Sequence, residues 1–447
     1  SPMSRGLGDV YKRQDVLAVR PHTTMVFDGE STQIQTGSGS PHILTDDPFE
    51  LLKATMPPTV ESASELPYVP GALGYFSYDM ARSVESLPTQ ATDDEQLPPM
   101  AIGIYSTIVV IDHARQQTLL VSDPRQPGAA ELATHWSHLI ESVLTEKSVD
   151  DQCMQSVRHP AHDGGLQCDK LTMSFSETEY HQAFNRVRDY IVEGDCYQVN
   201  LTNQFATPVR GDAWKTYQYL RQISPAPYGA YLNLPFATVL SNSPESFIQC
   251  RDRKVTTSPI KGTRPRVKNN RQGDQEVAEA LLNSQKDRAE NLMIVDLMRN
   301  DLSRSCELGS VAVPELFALH SFANVHHLIS RVTGRLRGDL HALDLLRRCF
   351  PGGSITGAPK IRSMQIIEEL EPVRRGLYCG AIAYLGIDGN LETNIAIRTM
   401  VVKDDMVRFG AGGGLVIDSD ASAEYQELLD KASKLLAALF PSSSDAI

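Results

Sequence analysis

The stretch 380–416, GAIAYLGIDGNLETNIAIRTMVVKDDMVRFGAGGGLV, restricts the fold more than any other region of the chain. Short β-branched and apolar runs alternate there with polar pairs such as Asp388-Gly389, the composition of strands joined by tight turns. It reads as an antiparallel meander. Runs of the same type recur between residues 16 and 125 (TMVFDGE, GALGYFSYDM, and AIGIYSTIVVIDHARQQTLLVSD with a turn at Asp112-His113-Ala114). Others occur in YQVNLTNQF, GAYLNLPFATVLSNSPESFIQC and KVTTSPIKG. The helical signal is grouped between them, at 126–145, 273–300 and 420–439. Another helix opens at a Ser176/Glu179 capping box, continues through Tyr180, Phe184, Val187 and Ile191, and stops at Gly194. Strands in series with helices grouped between them predict an α+β fold rather than alternating βαβ units.

A chain of 447 residues exceeds the size at which one core stops growing, so two subdomains or one large layered domain are expected. The composition divides it into a strand-rich region, 15–150, and a larger region, 171–440, joined by an irregular linker over 146–170. The acidic, proline-bearing piece 88–99 reads as a surface loop. Residues 1–14, SPMSRGLGDVYKRQ, join poorly to the strand-like sequence after them and read as a non-native leader without the apolar core of a secretory signal. A net charge of −13 and a pI near 5.4 argue against nucleic acid or an anionic membrane as the main partner. No apolar run approaches the ~20 residues that cross a bilayer. Seven scattered cysteines, never in C-x-x-C spacing, suit reduced thiols in a cytoplasmic protein and offer neither zinc nor a disulfide framework.

Two glycine-rich segments imitate nucleotide-binding loops and fail on inspection. GGSITGAPK (352–360) has Ala358-Pro359 where a P-loop needs Lys-Ser/Thr, although its proline marks the start of a helix. FGAGGGLV (409–416) has Leu415 where a dinucleotide fingerprint needs its third glycine. SPIK (258–261) matches S-x-x-K without the later K-T-G. What survives is a scattered set. Glu245 precedes Lys261 by sixteen residues, Glu290 lies on a helix, and Arg398 lies in a strand. Glu424, Glu427 and Lys431 share one face of the last helix, behind the glycine run 412–414. Carboxylates on separate helices suit a hard cation such as magnesium. Taken singly, each glutamate reads as a solvated helix face and Lys261 as a surface cation.

Four long motifs in the same order change that balance. SPIKGTRPR, RAENLMIVDLMRND, GGSITGAPK and GAGGGLVIDSDASAEYQE together resemble the chorismate-utilising enzymes, strongly over 171–440 and more weakly through GALGYFSYDMAR (71–82). The resemblance implies an antiparallel β-sandwich of two intertwined halves flanked by helices. It further implies chorismate, Mg2+ and ammonia as reactants, with ammonia released from glutamine by a separate amidotransferase subunit. Carried onto matching positions, it makes Glu290 and Glu427 magnesium ligands with Glu424 in support. Arg398, Tyr378, Lys431, Thr263 and the amides of Gly412 and Gly414 would hold substrate carboxylates and the enolpyruvyl group. His327 would lie beside the ring, and Glu245 would be the acid for the departing 4-hydroxyl.

Lys261 and Gln198 separate the branches of that family. Anthranilate synthases resemble this stretch but carry alanine at the position of Lys261. In those members of the branch that aminates C4, serving p-aminobenzoate and folate synthesis, that carry a lysine there, the resemblance implies that it attacks C2. Such an amine must be neutral, whereas only about one lysine in 2,000 is so at pH 7. Burial and neighbouring positive charge, here Arg264, Arg266 and a metal ion, are the expected means of lowering its pKa. Isochorismate and salicylate synthases place a basic lysine where this chain has Gln198, so a water-adding role is disfavoured. C4 amination is therefore the leading expectation. Anthranilate formation, or a catalytically silent ligand-binding member of the family, are the alternatives.

Overall fold

The computed structural model describes residues 14–60, 66–147, 164–268, 270–322 and 325–441, which leaves all of the expected leader except Gln14, the first residue of a strand, and most of the expected linker outside the described residues. Among the described residues the strands form sheets of three, eight and twelve members. The fold is mixed α+β. The meander at 380–416 becomes Ala381–Gly386, Leu391–Asn394, Thr399–Lys403 and Met406–Leu415, with Gly389 at φ +78° and Asp404 and Asp405 at φ 51° and 55° in its two turns. It does not stay in one sheet. Its first two strands belong to the twelve-stranded sheet and its last two to the eight-stranded sheet, so the chain crosses between layers at 395–398.

A second crossing lies at Pro244-Glu245, between Thr238–Ser243 of the eight-stranded sheet and Ser246–Arg251 of the twelve-stranded one. The crossings are stitched together: Ile395 N–H donates to Glu245 O (3.1 Å), Asn242 N–H to Arg398 O (3.0 Å) and Ser243 Oγ to Ile395 O (2.6 Å). Residues that leave one sheet for the other thus meet at one seam.

Strands from the N-terminal region complete the larger sheet, since Gly71–Phe76 pairs antiparallel with Ala381–Gly386. Helices cover the outer faces. Phe76, Met80, Ile294, Val332 and Leu346 belong to one buried cluster, and Tyr180, Val187, Leu201, Phe409 and Leu436 to another. Between the two large sheets Tyr75 and Ala101 from one meet Val239 and Val401 from the other. The helical stretch expected across 273–300 is broken into Arg271–Asn283 and Gln285–Ser303, because Ser284 turns aside to accept from Asp287 N–H and caps the second helix.

The piece 88–99 departs from the surface loop expected of it. Ala91, Glu95 and Leu97 are buried, and the Glu368 carboxylate accepts from the N–H groups of Gln90 (2.9 Å) and Ala91 (3.2 Å). Pro359 stands one place earlier than expected, as the N-cap of Lys360–Leu370. Lys360 Nζ is spent on Asp301 Oδ2 (2.6 Å) and Cys349 O (2.9 Å), so this helix start has no free amine for a phosphate.

Candidate active site

Lys261 lies on the strand Ile260–Pro265, whose pairing with Val325–Arg335 slips between Ile260 and Thr263. Gly262, at φ +83°, supplies the backbone conformation for that slip, and a bulge of this kind re-aims the neighbouring side chain. The lysine turns inward, and its Nζ donates to Ser354 O at 3.4 Å. Ser354 Oγ in turn donates to Glu245 Oε1 at 2.9 Å. Burial raises the Glu245 pKa, only partly offset by Lys261, Ser354 and Lys431, which favours the protonated acid. The Lys261 pKa is lowered by burial first and Lys431 second, against the pull of Glu245, Glu290 and Glu427. Arg264 and Arg266 do not contribute as expected. Arg264 pairs with Asp287 (2.9 Å) and Arg266 with Asp274 (2.6 Å), which neutralises both guanidinium groups.

The acidic face is assembled from two helices. Glu290 projects from Gln285–Ser303, and Glu424, Glu427 and Lys431 project from Ala421–Leu439 toward the strand Met406–Leu415. Three of these groups converge over Gly413, where a Cβ would lie 3.2 Å from Glu424 Oε2, 3.4 Å from Lys431 Nζ and 3.8 Å from Glu427 Oε1. Glycine there leaves the space open. Lys431 Nζ donates to Glu427 Oε1 (2.7 Å) and to Gly412 O (2.9 Å). Lys286 Nζ stands 3.9 Å from Glu290 Oε1 and 3.7 Å from Glu424 Oε1. Burial raises the Glu290 pKa against Lys261 and Lys286; for Glu427 burial also raises, but the combined pull of Lys431, Lys286 and Lys261 makes the net shift downward.

Among the described residues no three His, Cys, Asp or Glu side chains are gathered tightly enough to hold a metal unaided. Magnesium needs only one or two carboxylates when water and substrate oxygens complete its octahedron. Glu290, Glu424 and Glu427 fit that demand: they are hard oxygen donors around one open space, with an ammonium already between two of them.

The glycine strand has a free edge beside these carboxylates. Asn200 and Thr202 pair in register with Gly414 and Gly412, yet their N–H groups donate to Thr356 O (2.8 Å) and Glu371 Oε1 (2.9 Å) instead. These are therefore the pairs that exchange no ladder bonds, and the Gly412 and Gly414 amides face away from Gln198–Arg210. The strand on that other side, Thr399–Lys403, pairs no further along than Met400–Phe409. Gln198 packs against Gly414, completely buried, with neither its amide oxygen nor its nitrogen partnered. Thr263 Oγ1 and His327 Nδ1 are 2.8 Å apart across the ladder. Burial, then Arg398, lowers the His327 pKa to about 4, so its ring is neutral at pH 7. Arg398, half-buried at the 395–398 crossing, has no carboxylate partner among the described residues. Tyr378 is buried, its ring against Gly410 and its phenol beside Cys379. His326 is packed, with Ser321 on Nδ1 (2.8 Å) and Asp274 on Nε2 (3.1 Å).

Two residues of this cleft are absent from the sequence-based set. Ser354 lies within GGSITGAPK, whose loop matters as a support for Lys261 and Glu245 and not as a phosphate cradle. Lys286 opens the helix of Glu290, and only the fold reveals that it also reaches Glu424 on the last helix.

A cleft of this kind at the seam of two antiparallel sheets, lined by a partly buried amine, a buried acid and facing carboxylates, defines an enzyme that handles a small anionic substrate. The chain belongs to the chorismate-binding enzyme family, whose pattern it matches over residues 11–437. It is 42% identical to aminodeoxychorismate synthase component 1 of Salmonella typhimurium over 95% of this chain and 89% of that protein. Anthranilate synthase component 1 of Bacillus subtilis is 36% identical over 83% of this chain and 73% of its own length. The crystal structure of anthranilate synthase component I from Streptococcus pneumoniae superposes with a TM-score of 0.79 at 31% identity, over 94% of this chain and 91% of the other.

Proposed function

We propose that this chain is an aminodeoxychorismate synthase component 1, converting chorismate and ammonia to 4-amino-4-deoxychorismate for p-aminobenzoate and folate synthesis. Ammonia comes from glutamine through a separate amidotransferase chain, a reading supported by the component naming of the relatives. The two large sheets are read as the layers of a β-sandwich and the enzyme as cytoplasmic; among the described residues no helix is long and apolar enough to cross a membrane. One observation carries the choice of C4 amination over anthranilate formation: an inward-turned, partly buried amine, Lys261, linked through Ser354 to a buried acid, Glu245.

The chemistry derives from those positions. Neutral Lys261 Nζ attacks C2 of the ring diene, the C1–C2 π pair shifts to C1–C6, the C5–C6 π pair shifts to C4–C5, and the C4–oxygen bond breaks. Glu245 gives its proton to the departing hydroxyl, which leaves as water rather than hydroxide. Ammonia then attacks C4, the π pairs return to C5–C6 and C1–C2, and the C2–Nζ bond breaks to free the lysine. The resulting C4 ammonium returns one proton to Glu245, so the cycle closes. Magnesium held by Glu290 and Glu427, with Glu424 in support, would neutralise the ring carboxylate of chorismate. Arg398, Lys431, Thr263 and the Gly412 and Gly414 amides bind the remaining anionic groups. His327, as a neutral imidazole, borders the ring, and Tyr378 backs the glycine strand. Gln198 presents an uncharged amide that cannot activate water, which agrees with ammonia as the nucleophile.

Incubation with chorismate, Mg2+ and ammonium, with product read directly, tests this. The expected product is 4-amino-4-deoxychorismate, and Lys261→Ala slows its formation by at least about tenfold. Fluorescent anthranilate from the wild-type protein would defeat the assignment. An unchanged rate and product from Lys261→Ala would defeat the covalent step alone.

A further inference from the structure

Lys286 stands where local helix energetics do not favour a cation. It lies in the first turn of a helix capped by Ser284, the end at which the macrodipole prefers negative charge. Its neighbour Asp287 is already engaged by Arg264. Two carboxylates explain the placement. Glu290 and Glu424 keep side-chain exposures of only 18% and 8%, and each has one oxygen within 4 Å of Lys286 Nζ, at 3.9 and 3.7 Å. Those separations are longer than a hydrogen bond, so the pairing is coulombic and undirected. The lysine side chain is itself 53% exposed and has open solvent to move into.

We propose that Lys286 is a built-in counter-ion for Glu290 and Glu424, which holds the two carboxylates together in the metal-free protein and yields its place when a divalent cation enters. The inference rests on the reading of Glu290, Glu424 and Glu427 as the cation site. Lys431 is a less suitable placeholder, because it is tied by true hydrogen bonds to Glu427 Oε1 and Gly412 O. Lys261 is committed to Ser354 O. Lys286 alone combines a loose hold on two carboxylates with a free path outward. It therefore sets a threshold: the cation has to outcompete an ammonium, and the site is emptied without leaving buried like charges face to face. Divalent affinity is weakened by its presence, and the stability of the metal-free protein is raised.

Direct Mn2+ titration followed by electron paramagnetic resonance of the free ion tests this without reference to turnover. Lys286→Gln is expected to reach half-saturation at about tenfold lower Mn2+ than wild type, since a unit charge close to the cation has gone. Its metal-free melting temperature falls, and its Mn2+-induced rise in melting temperature grows. Lys286→Arg, which keeps the charge, should titrate as wild type does, and Lys286→Met should repeat the Lys286→Gln result. Equal or weaker Mn2+ binding by both neutral variants, with Glu290→Gln still abolishing it, would overturn the counter-ion role. Wild-type binding by Glu290→Gln would instead overturn the cation site itself, and the proposal with it.

Discussion

The glycines of the strand Met406–Leu415 permit a paired test in which one methyl group is read as packing and the next as chemistry. At Gly413 the added Cβ of Gly413→Ala would lie 3.2 Å from Glu424 Oε2 and 3.4 Å from Lys431 Nζ. Both atoms end flexible side chains, and Gly413 has no positive φ to violate. They give way by a few tenths of an ångström, at a cost in folding stability below about 1 kcal/mol. They are also the groups that frame the proposed cation and substrate site. A misplacement of about 1 Å in such a site costs on the order of 100-fold, so the smaller shift together with the lost space should lower kcat/KM by about tenfold or more. At Gly412 the same methyl would lie 2.3 Å from Leu201 O and 2.7 Å from Thr202 Cα, which are backbone atoms of the paired strand. Gly412→Ala must therefore push these paired strands apart and lose about 3 kcal/mol of stability. Urea denaturation and steady-state amination, measured on both variants, separate the effects. A Gly413→Ala enzyme with wild-type kinetics, or a Gly412→Ala protein with the wild-type urea midpoint, would refute the reasoning.

The active form requires Lys261 deprotonated, with its pKa below the ordinary 10.5, and Glu245 protonated, with its pKa above the ordinary 4.5, so kcat/KM should be bell-shaped in pH between those limits. Lys431 lowers both pKa values, so Lys431→Met should move the centre of the bell to higher pH; an unmoved profile would exclude Lys431 as the source of that field. Arg375, buried with Glu371, donates to Ile355 O (2.8 Å) and Asn200 O (2.7 Å) and thereby anchors the loop of Ser354 to the strand of Gln198. Arg375→Met should cost about 3–5 kcal/mol in urea denaturation, and Glu371→Leu added to it should recover some of that loss; a single variant of wild-type stability would contradict the anchor.

The sequence carried the local features of this architecture and little of its long-range assembly. The Ser176–Glu179 capping box is formed as expected, because such a motif is decided within four residues. The shared helix face of Glu424, Glu427 and Lys431 is likewise local, fixed by the helical repeat. The two crossings between sheets were not legible, since nothing in GAIAYLGIDGNLETNIAIRTM marks 395–398 as the point where a meander changes layers. The role of Lys286 is hidden in the sequence for the same reason: its second carboxylate lies 138 residues away along the chain. The converse holds at Arg264 and Arg266, whose charges are free in the sequence and paired in the fold with Asp287 and Asp274. Charge counted along a sequence is not field at a site.

Burial sorts the three lysines of the cleft into different chemical roles. Lys261 is held inside by Gly262 and Ser354, and its proton is the easiest to remove because desolvation and the Lys431 charge both oppose it. Lys431 is 40% exposed and Lys286 53% exposed, and both face carboxylates. A nucleophile and its activating charge must differ in this way, because a fully solvated amine is protonated and inert at neutral pH. The bulge at Gly262 therefore has a chemical as well as a structural consequence. It takes one of three similar side chains out of water and leaves the other two in it.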